Sequence, residues 1–326
     1  MKTFSETPQP SLPSLQRHAL SGETMGTRYS AVFFAGAGID ASAVGAALFA
    51  AVDKVDRQMS TWKSDSDLSR LNAAPAQQWI ALPGELMAVL DAALRVGVQS
   101  HGAFDIGVGD LVDAWGFGPA GPVPDESRIG ALKQRVRRSA SDILEIDQVQ
   151  KRARKSAPIA LDLSGIAKGY GVDALASCLD GLGITRYLVG IDGEMRARGH
   201  KPDGRAWAIA IEKPVAGVRE AMGVMELADA AIATSGNYRH RVELAGTQHA
   251  HTMNPLDGQP ASNRLASVTV VMPSCMLADA WATALLVLGE TAGVELAQRH
   301  GMNALFVLHD GDGLRQISIV DGQREP

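Results

Sequence analysis

The chain has 326 residues, 46% of them hydrophobic and 21% charged, with a formal net charge of -5. That length buries a sizeable core in one large domain or two ordinary ones, and the composition is that of a globular protein. The acidic balance argues against a general nucleic-acid binder, which needs a basic surface to displace counterions from phosphate.

Residues 1–20, "MKTFSETPQPSLPSLQRHAL", are rich in Ser, Thr and Pro and lack the apolar run of a signal peptide. They are expected to be disordered ahead of one domain spanning 21–326. No stretch reads as apolar for long enough to cross a bilayer. A cytoplasmic location is the expectation for the chain as written, and a periplasmic one if the native chain is longer.

"TMGTRYSAVFF" (24–34) is rich in β-branched and aromatic residues and predicts a first strand. Asp40 stands where a helix N-cap would, and Val44, Leu48, Val52, Val55 and Met59 follow at helical spacing. The serines and aspartates of "MSTWKSDSDLSRLN" (59–72) suit a loop that caps a short helix. A further helix is expected from about Pro83 to Ser100, with Gly102 just past its end. The glycine-rich stretch 102–125 reads as a loop of defined shape that approaches something closely.

The basic runs "KQRVRR" (133–138) and "KRARK" (151–155) read as solvated faces, with docking of an acidic partner as the alternative. From residue 143 onward the pattern is strand-dominated: "ILEI", "IALDL", "RYLVGI", "WAIAI", "GVMEL", "ASVTVV", "ALFVL" and "ISIV" are short β-prone runs. Helices interrupt them after Lys168 and after Pro273. Without regular βαβ alternation this predicts an α+β fold with mixed or antiparallel sheets. Cys178 and Cys275, each in an apolar helical pattern, read as small buried hydrophobes of a reduced protein, although a disulfide stays open.

Three constellations carry possible chemistry. In "LDLSGIAKGYGVD" (161–173), Gly165, Gly169 and Gly171 would let backbone amides meet an anion at a helix start beside Lys168. The spacing is not that of a Walker loop, and a glycine turn with a surface lysine is the plain alternative. In "MLADAWATALLVLGE" (276–290), Asp279 and Thr283 share one helix face, where a carboxylate and a hydroxyl offer two hard oxygens to a cation. The alternative there is an early-helix aspartate complementing the dipole. Between 234 and 263 lie His240, His249 and His251; a zinc site lacks further ligands at spacing, so one histidine as proton acceptor or a structural histidine remain.

Taken together, "ETMGTRYS", "MSTWKSDSDLSRLN", "GAFDIGVGDLVDAWGFG", "LDLSGIAKGYGVD", "AIATSGNYRHR", "HTMNPLDGQP" and "SVTVVMPSCMLADAWATALLVLG" occur in an order in which the chain resembles the ApbE-type FAD:protein FMN transferases, from Met25 to about Leu308. The resemblance implies a single large ApbE-like, T-fold-like domain. It implies cleavage of FAD and attachment of its FMN half, through a phosphoester, to a Thr or Ser of a target protein, with release of AMP. It implies magnesium, with manganese as the alternative. Carried across residue by residue, it assigns flavin contacts to Met25, Trp62, Ala103, Phe104, Asp105, Asp162, Lys168 and Met253. It assigns metal ligation to the carbonyl of Gly165 and the side chains of Asp279 and Thr283. His251 is the candidate base and Lys168 the phosphate-facing amine. Arg239 would meet a phosphate or pair with Glu243. Two positions depart from the family pattern: Asn254 stands for the aspartate of H-x-x-D-P, and Ala282 replaces an acid that some members carry. An FAD pyrophosphatase giving free FMN and AMP, and a non-catalytic flavin-binding protein, are the competing readings.

Overall fold

The computed structural model describes residues 15–239, 241–311 and 313–326. His240 and residues 1–14 lie outside them. The centre is one nine-stranded sheet: β1 (Leu15–Thr24), β2 (Thr27–Gly36), β3 (Tyr187–Ile191), β4 (Glu194–Arg198), β5 (Ala231–Gly236), β6 (Leu265–Met272), β7 (Asn303–Asp310), β8 (Gly313–Val320) and β9 (Gln323–Arg324). Neighbours in the sheet are neighbours in this series, and every pair is antiparallel. The sheet is therefore a meander whose connections hold the rest of the chain, and the α+β expectation stands.

Four long helices are α1 (Ala41–Met59), α2 (Gly84–Gln99), α3 (Ala167–Gly181) and α4 (Cys275–Arg299). The alternation of strand side chains sorts the layers. Tyr29, Phe33, Tyr187, Val189 and Ile191 point to one face and pack on Val44, Leu48 and Val52 of α1 and Val172, Leu175 and Leu179 of α3. Val32, Phe34 and Leu188 point to the other, against the hairpin of Trp207–Glu212 and Ala221–Leu227. The spacing that predicts α1 is thus a burial stripe: Val44, Leu48, Val52, Val55 and Met59 are all buried, and Asp40 caps the helix by accepting from the amides of Ser42 and Ala43.

Several expectations need correction. Residues 15–20, read as part of a disordered start, form the first six of the ten residues of β1, an edge strand whose whole length pairs with β2. "IALDL" forms no strand and joins no sheet; Asp162 instead donates its amide to the carbonyl of Ile106 at 2.7 Å. "KRARK" is no solvated face: Arg152–Lys155 is the middle strand of a three-stranded sheet. Lys155 is buried there and donates to the carbonyl of Asn72, while Arg152 and Arg154 lie over the Trp79 ring. In the other basic run Arg137 is half-buried against Asp110 and the rest is exposed or nearly so. The glycine-rich stretch 102–125 is not all loop: it contains a short 3-10 turn at Ile106–Val108 and the helix Gly109–Ala114.

Among the described residues one helix is long and apolar enough to cross a membrane after all, α4, with a mean hydropathy of 1.3 over its best window. Most of that window is buried inside the protein, against β5 and β6. The helix is also interrupted at Gly289, where φ is +79°, and Asn263 donates to the carbonyl of Leu286 that the break frees. Cys178 and Cys275 are free thiols, Cys275 fully buried and Cys178 partly so.

Candidate active site

The site grows from the crossing of α3 and α4. A Cβ built on Gly169 would lie 2.4 Å from the carbonyl oxygen of Cys275 and 2.8 Å from the Cβ of Asp279, so glycine is what lets these two helices touch backbone to backbone. The N-cap position of α3, Ile166, has no side chain able to cap. Asp279 of α4 takes that role, its Oδ2 accepting from the Gly169 amide at 3.0 Å. The favour is returned at the start of α4. Asp173 of α3 accepts from the amides of Cys275 and Met276, both at 3.0 Å, and from the Ser274 hydroxyl at 2.7 Å. Each helix N-terminus is capped by an aspartate of the other.

One turn along α4 from Asp279, Thr283 faces the same way. A Cβ on Gly165 would lie 3.2 Å from Thr283 Oγ1 and 3.2 Å from the Phe104 ring. The segments around residues 165 and 280, far apart in sequence, therefore meet. Ser235 of β5 adds a hydroxyl 3.0 Å from that of Thr283.

These groups line a cavity of about 590 Å³. Of the residues singled out in the sequence, Met25, Ala103, Phe104, Asp105 and Asp162 line it, as do Gly165, Lys168, His251, Met253, Asp279 and Thr283. Trp62 does not; it is 68% exposed. Met25 enters from the two-residue β1–β2 turn, where Met25 and Gly26 both have positive φ, +47° and +70°. A positive φ costs little for glycine but strains methionine. The strained residue lays its side chain over Gly171, whose Cβ would stand 3.2 Å from the Met25 methyl carbon.

The electrostatics are dominated by buried carboxylates. Asp279 is 4% exposed. Burial pushes its carboxyl well above the usual range, Glu194 adds to this, and Lys168 and the Gly169 amide oppose it. Burial also raises Asp162, which accepts from the Ser164 amide at 2.8 Å, and Asp105, which accepts from the amides of Gly107 and Ala140 at 2.7 and 3.1 Å. Asp105 thus ties the Ile106–Val108 turn to the start of the short helix Ala140–Ile143 as well as lining the cavity.

Burial alone would lower the pKa of Lys168, but Glu194, Asp279 and Asp192 together raise it, so the ammonium stays charged. Its Nζ donates to Glu194 Oε1 at 2.8 Å and lies 3.9 Å from Asp192. The lysine lines the cavity as a cation clasped by acids. Glu194 is 2% exposed and its Oε2 has no hydrogen-bond partner among the described residues. Sequence reasoning passes over Glu194. The available signal is the Asp-Gly pair of "GIDGEMR", a hairpin signature that puts the next residue at the rim of whatever the turn borders.

Arg239 pairs with Asp192 at 3.2 Å and with Glu212, rather than with Glu243. His251 lines the cavity with its ring edge-on to Phe117, centroids 6.2 Å apart, while His249 packs on Trp115. Asn254 builds the turn that follows: it donates to Asp257 at 2.8 Å and accepts from the Leu256 amide at 3.0 Å. Ala282 is fully buried within the core, where an acid would find no water.

The donor set suits a small divalent cation. A buried carboxylate short of positive charge stands beside a hydroxyl and a closely approaching backbone, all hard oxygens. Among the described residues no three His, Cys, Asp or Glu side chains converge as a self-sufficient metal site. A cation here would draw the rest of its shell from water and a phosphate ligand, as magnesium commonly does.

Residues 25–306 match the ApbE family. Over 311 residues the chain is 39% identical to an FAD:protein FMN transferase of Vibrio cholerae, covering 94% of this chain and 91% of that one. It is 35% identical to one of Klebsiella pneumoniae, covering 94% and 88%. Among solved structures it is similar to the flavin transferase ApbE from Vibrio cholerae, with a TM-score of 0.84 at 37% identity over 94% of this chain and 97% of that one. The apo flavinyl transferase ApbE of Pseudomonas stutzeri superposes with a TM-score of 0.83 at 36% identity, covering 94% and 96%.

Proposed function

The chain belongs to the ApbE family, and on that premise we propose that its cavity binds FAD, cleaves it, and passes the FMN half to a Thr or Ser hydroxyl of a partner protein with release of AMP. The observation that carries the reading is the meeting of Gly165, Asp279 and Thr283 in the cavity that Lys168 and His251 also line.

Met25 and Phe104 offer apolar surface for a planar ring system. Lys168 supplies positive charge at the diphosphate, with Glu194 fixing its position. The carbonyl of Gly165 and the side chains of Asp279 and Thr283 would hold magnesium or manganese. Such a cation neutralises pyrophosphate oxygens and makes phosphorus easier to attack. The acceptor oxygen forms a bond to the FMN-side phosphorus, the bond to the bridging oxygen breaks, and AMP leaves with that electron pair. The hydroxyl proton passes to His251, a transfer worth on the order of 10² to 10⁴ in rate.

The test is incubation with FAD, Mg²⁺ and a candidate acceptor protein, followed by mass spectrometry of the acceptor and assay of AMP. An added FMN mass with stoichiometric AMP supports transfer. Free FMN with AMP and an unmodified acceptor identifies a pyrophosphatase, and FAD left intact overturns both.

A further inference from the structure

Asp173, the last residue of "LDLSGIAKGYGVD", does not line the cavity, yet its carboxylate makes four polar contacts. Besides the amides of Cys275 and Met276 and the hydroxyl of Ser274, it accepts from Arg196 of β4 at 2.6 Å. Three elements, α3, β4 and the first turn of α4, are thereby pinned at one carboxylate. Cys275 is one helical turn before Asp279, so the position of the α4 N-terminus sets the position of Asp279 directly. The negative charge also complements the positive end of the α4 dipole.

We infer that Asp173 is a positioning residue for the cation site: it fixes the start of α4 so that Asp279 can cap α3 through one oxygen and leave the other for a divalent cation. This rests on the cation site proposed above. Carboxylates that hold a ligand-bearing element in place without touching the metal change affinity strongly, commonly by 10- to 100-fold.

Asp173→Asn preserves shape, removes the charge and turns one acceptor into a donor facing the Met276 amide. Asp180→Asn is the matched control. Asp180 lies on the same helix and pairs with Arg198 and with the Tyr187 hydroxyl; neither of these partners belongs to α4. Mn²⁺ titration followed by electron paramagnetic resonance, in the absence of FAD and at a temperature where circular dichroism shows all three proteins folded, reads affinity without turnover. We expect the dissociation constant to rise roughly 10- to 100-fold in Asp173→Asn and to stay at the parent value in Asp180→Asn. AMP release should show the same split, with the Mg²⁺ requirement raised and kcat at saturating Mg²⁺ retained. Parent-like affinity in Asp173→Asn, or an equal loss in Asp180→Asn, overturns the inference. A parent protein that binds no Mn²⁺ overturns the cation assignment beneath it.

Discussion

Gly169 and Asp279 meet where α3 crosses α4, the amide of the glycine donating to the carboxylate at 3.0 Å. The contact makes one side chain serve two purposes. Asp279 caps the N-terminus of α3 and, through its remaining oxygen, presents a hard anionic ligand to the cavity. Structure and chemistry are coupled at that crossing, and the consequences can be measured.

Gly169→Ala tests the crossing itself. The added methyl would meet backbone carbonyl and Cβ atoms rather than the end of a flexible side chain, so the helices must separate. Overpacking of this kind costs about 1–3 kcal/mol. Urea unfolding should show that loss, and AMP release should fall with it. Unchanged stability would mean that α3 and α4 are free to slide.

Lys168→Met leaves the Glu194 carboxylate buried without its cation. Removing one partner of a buried pair costs about 3–5 kcal/mol. Adding Glu194→Gln to the same protein should recover most of that stability, because the orphaned charge disappears. A double variant no more stable than Lys168→Met would show that the orphaned Glu194 charge is not the source of the loss.

The pH dependence has a definite sign. Asp279 has its carboxyl raised in the folded protein, so its contribution to stability is complete below the ordinary carboxylate range and is lost as pH rises toward neutrality. With cations chelated, Asp279→Asn should therefore be more stable than the parent at pH 8, and the two should converge near pH 4. Mg²⁺ should stabilise the parent more at pH 8 than at pH 5, since protonation competes with the cation. Thermal unfolding with and without chelator checks both; a parent that outlasts Asp279→Asn in chelator at pH 8 contradicts them.

His251→Gln should reduce flavin transfer by roughly 10² to 10⁴ while Mn²⁺ affinity stays at the parent value. His251 lines the cavity from the loop after the strand Thr247–Ala250 and belongs to neither helix of the crossing. Equal losses in transfer and cation binding would move it from proton transfer to a structural role.

Much of this is legible in the chain because local rules govern it. The apolar spacing from Val44 to Met59 fixes a burial stripe, and the four-residue step from Asp279 to Thr283 fixes a shared face. Local pattern fails where distant partners decide. "KRARK" lacks the look of a strand, but Trp79 covers two of its arginines and the carbonyl of Asn72 satisfies its buried lysine. The polar β1 has few buried side chains to advertise it and is held by backbone pairing to β2. Glu194 escapes for the same reason, and so does the role of Asp173, although that acid closes the motif at 161–173. Their partners lie 26 and 102 residues away, at Lys168 and Cys275, and nothing in either neighbourhood names them.

The most direct test of the account is Asp279→Ala, assayed for AMP released from FAD at an ordinary Mg²⁺ concentration, with folding checked by circular dichroism. Loss of AMP release in a folded protein is the expected result. Full release by that variant would contradict the claim that the α3–α4 crossing holds the cation on which cleavage depends.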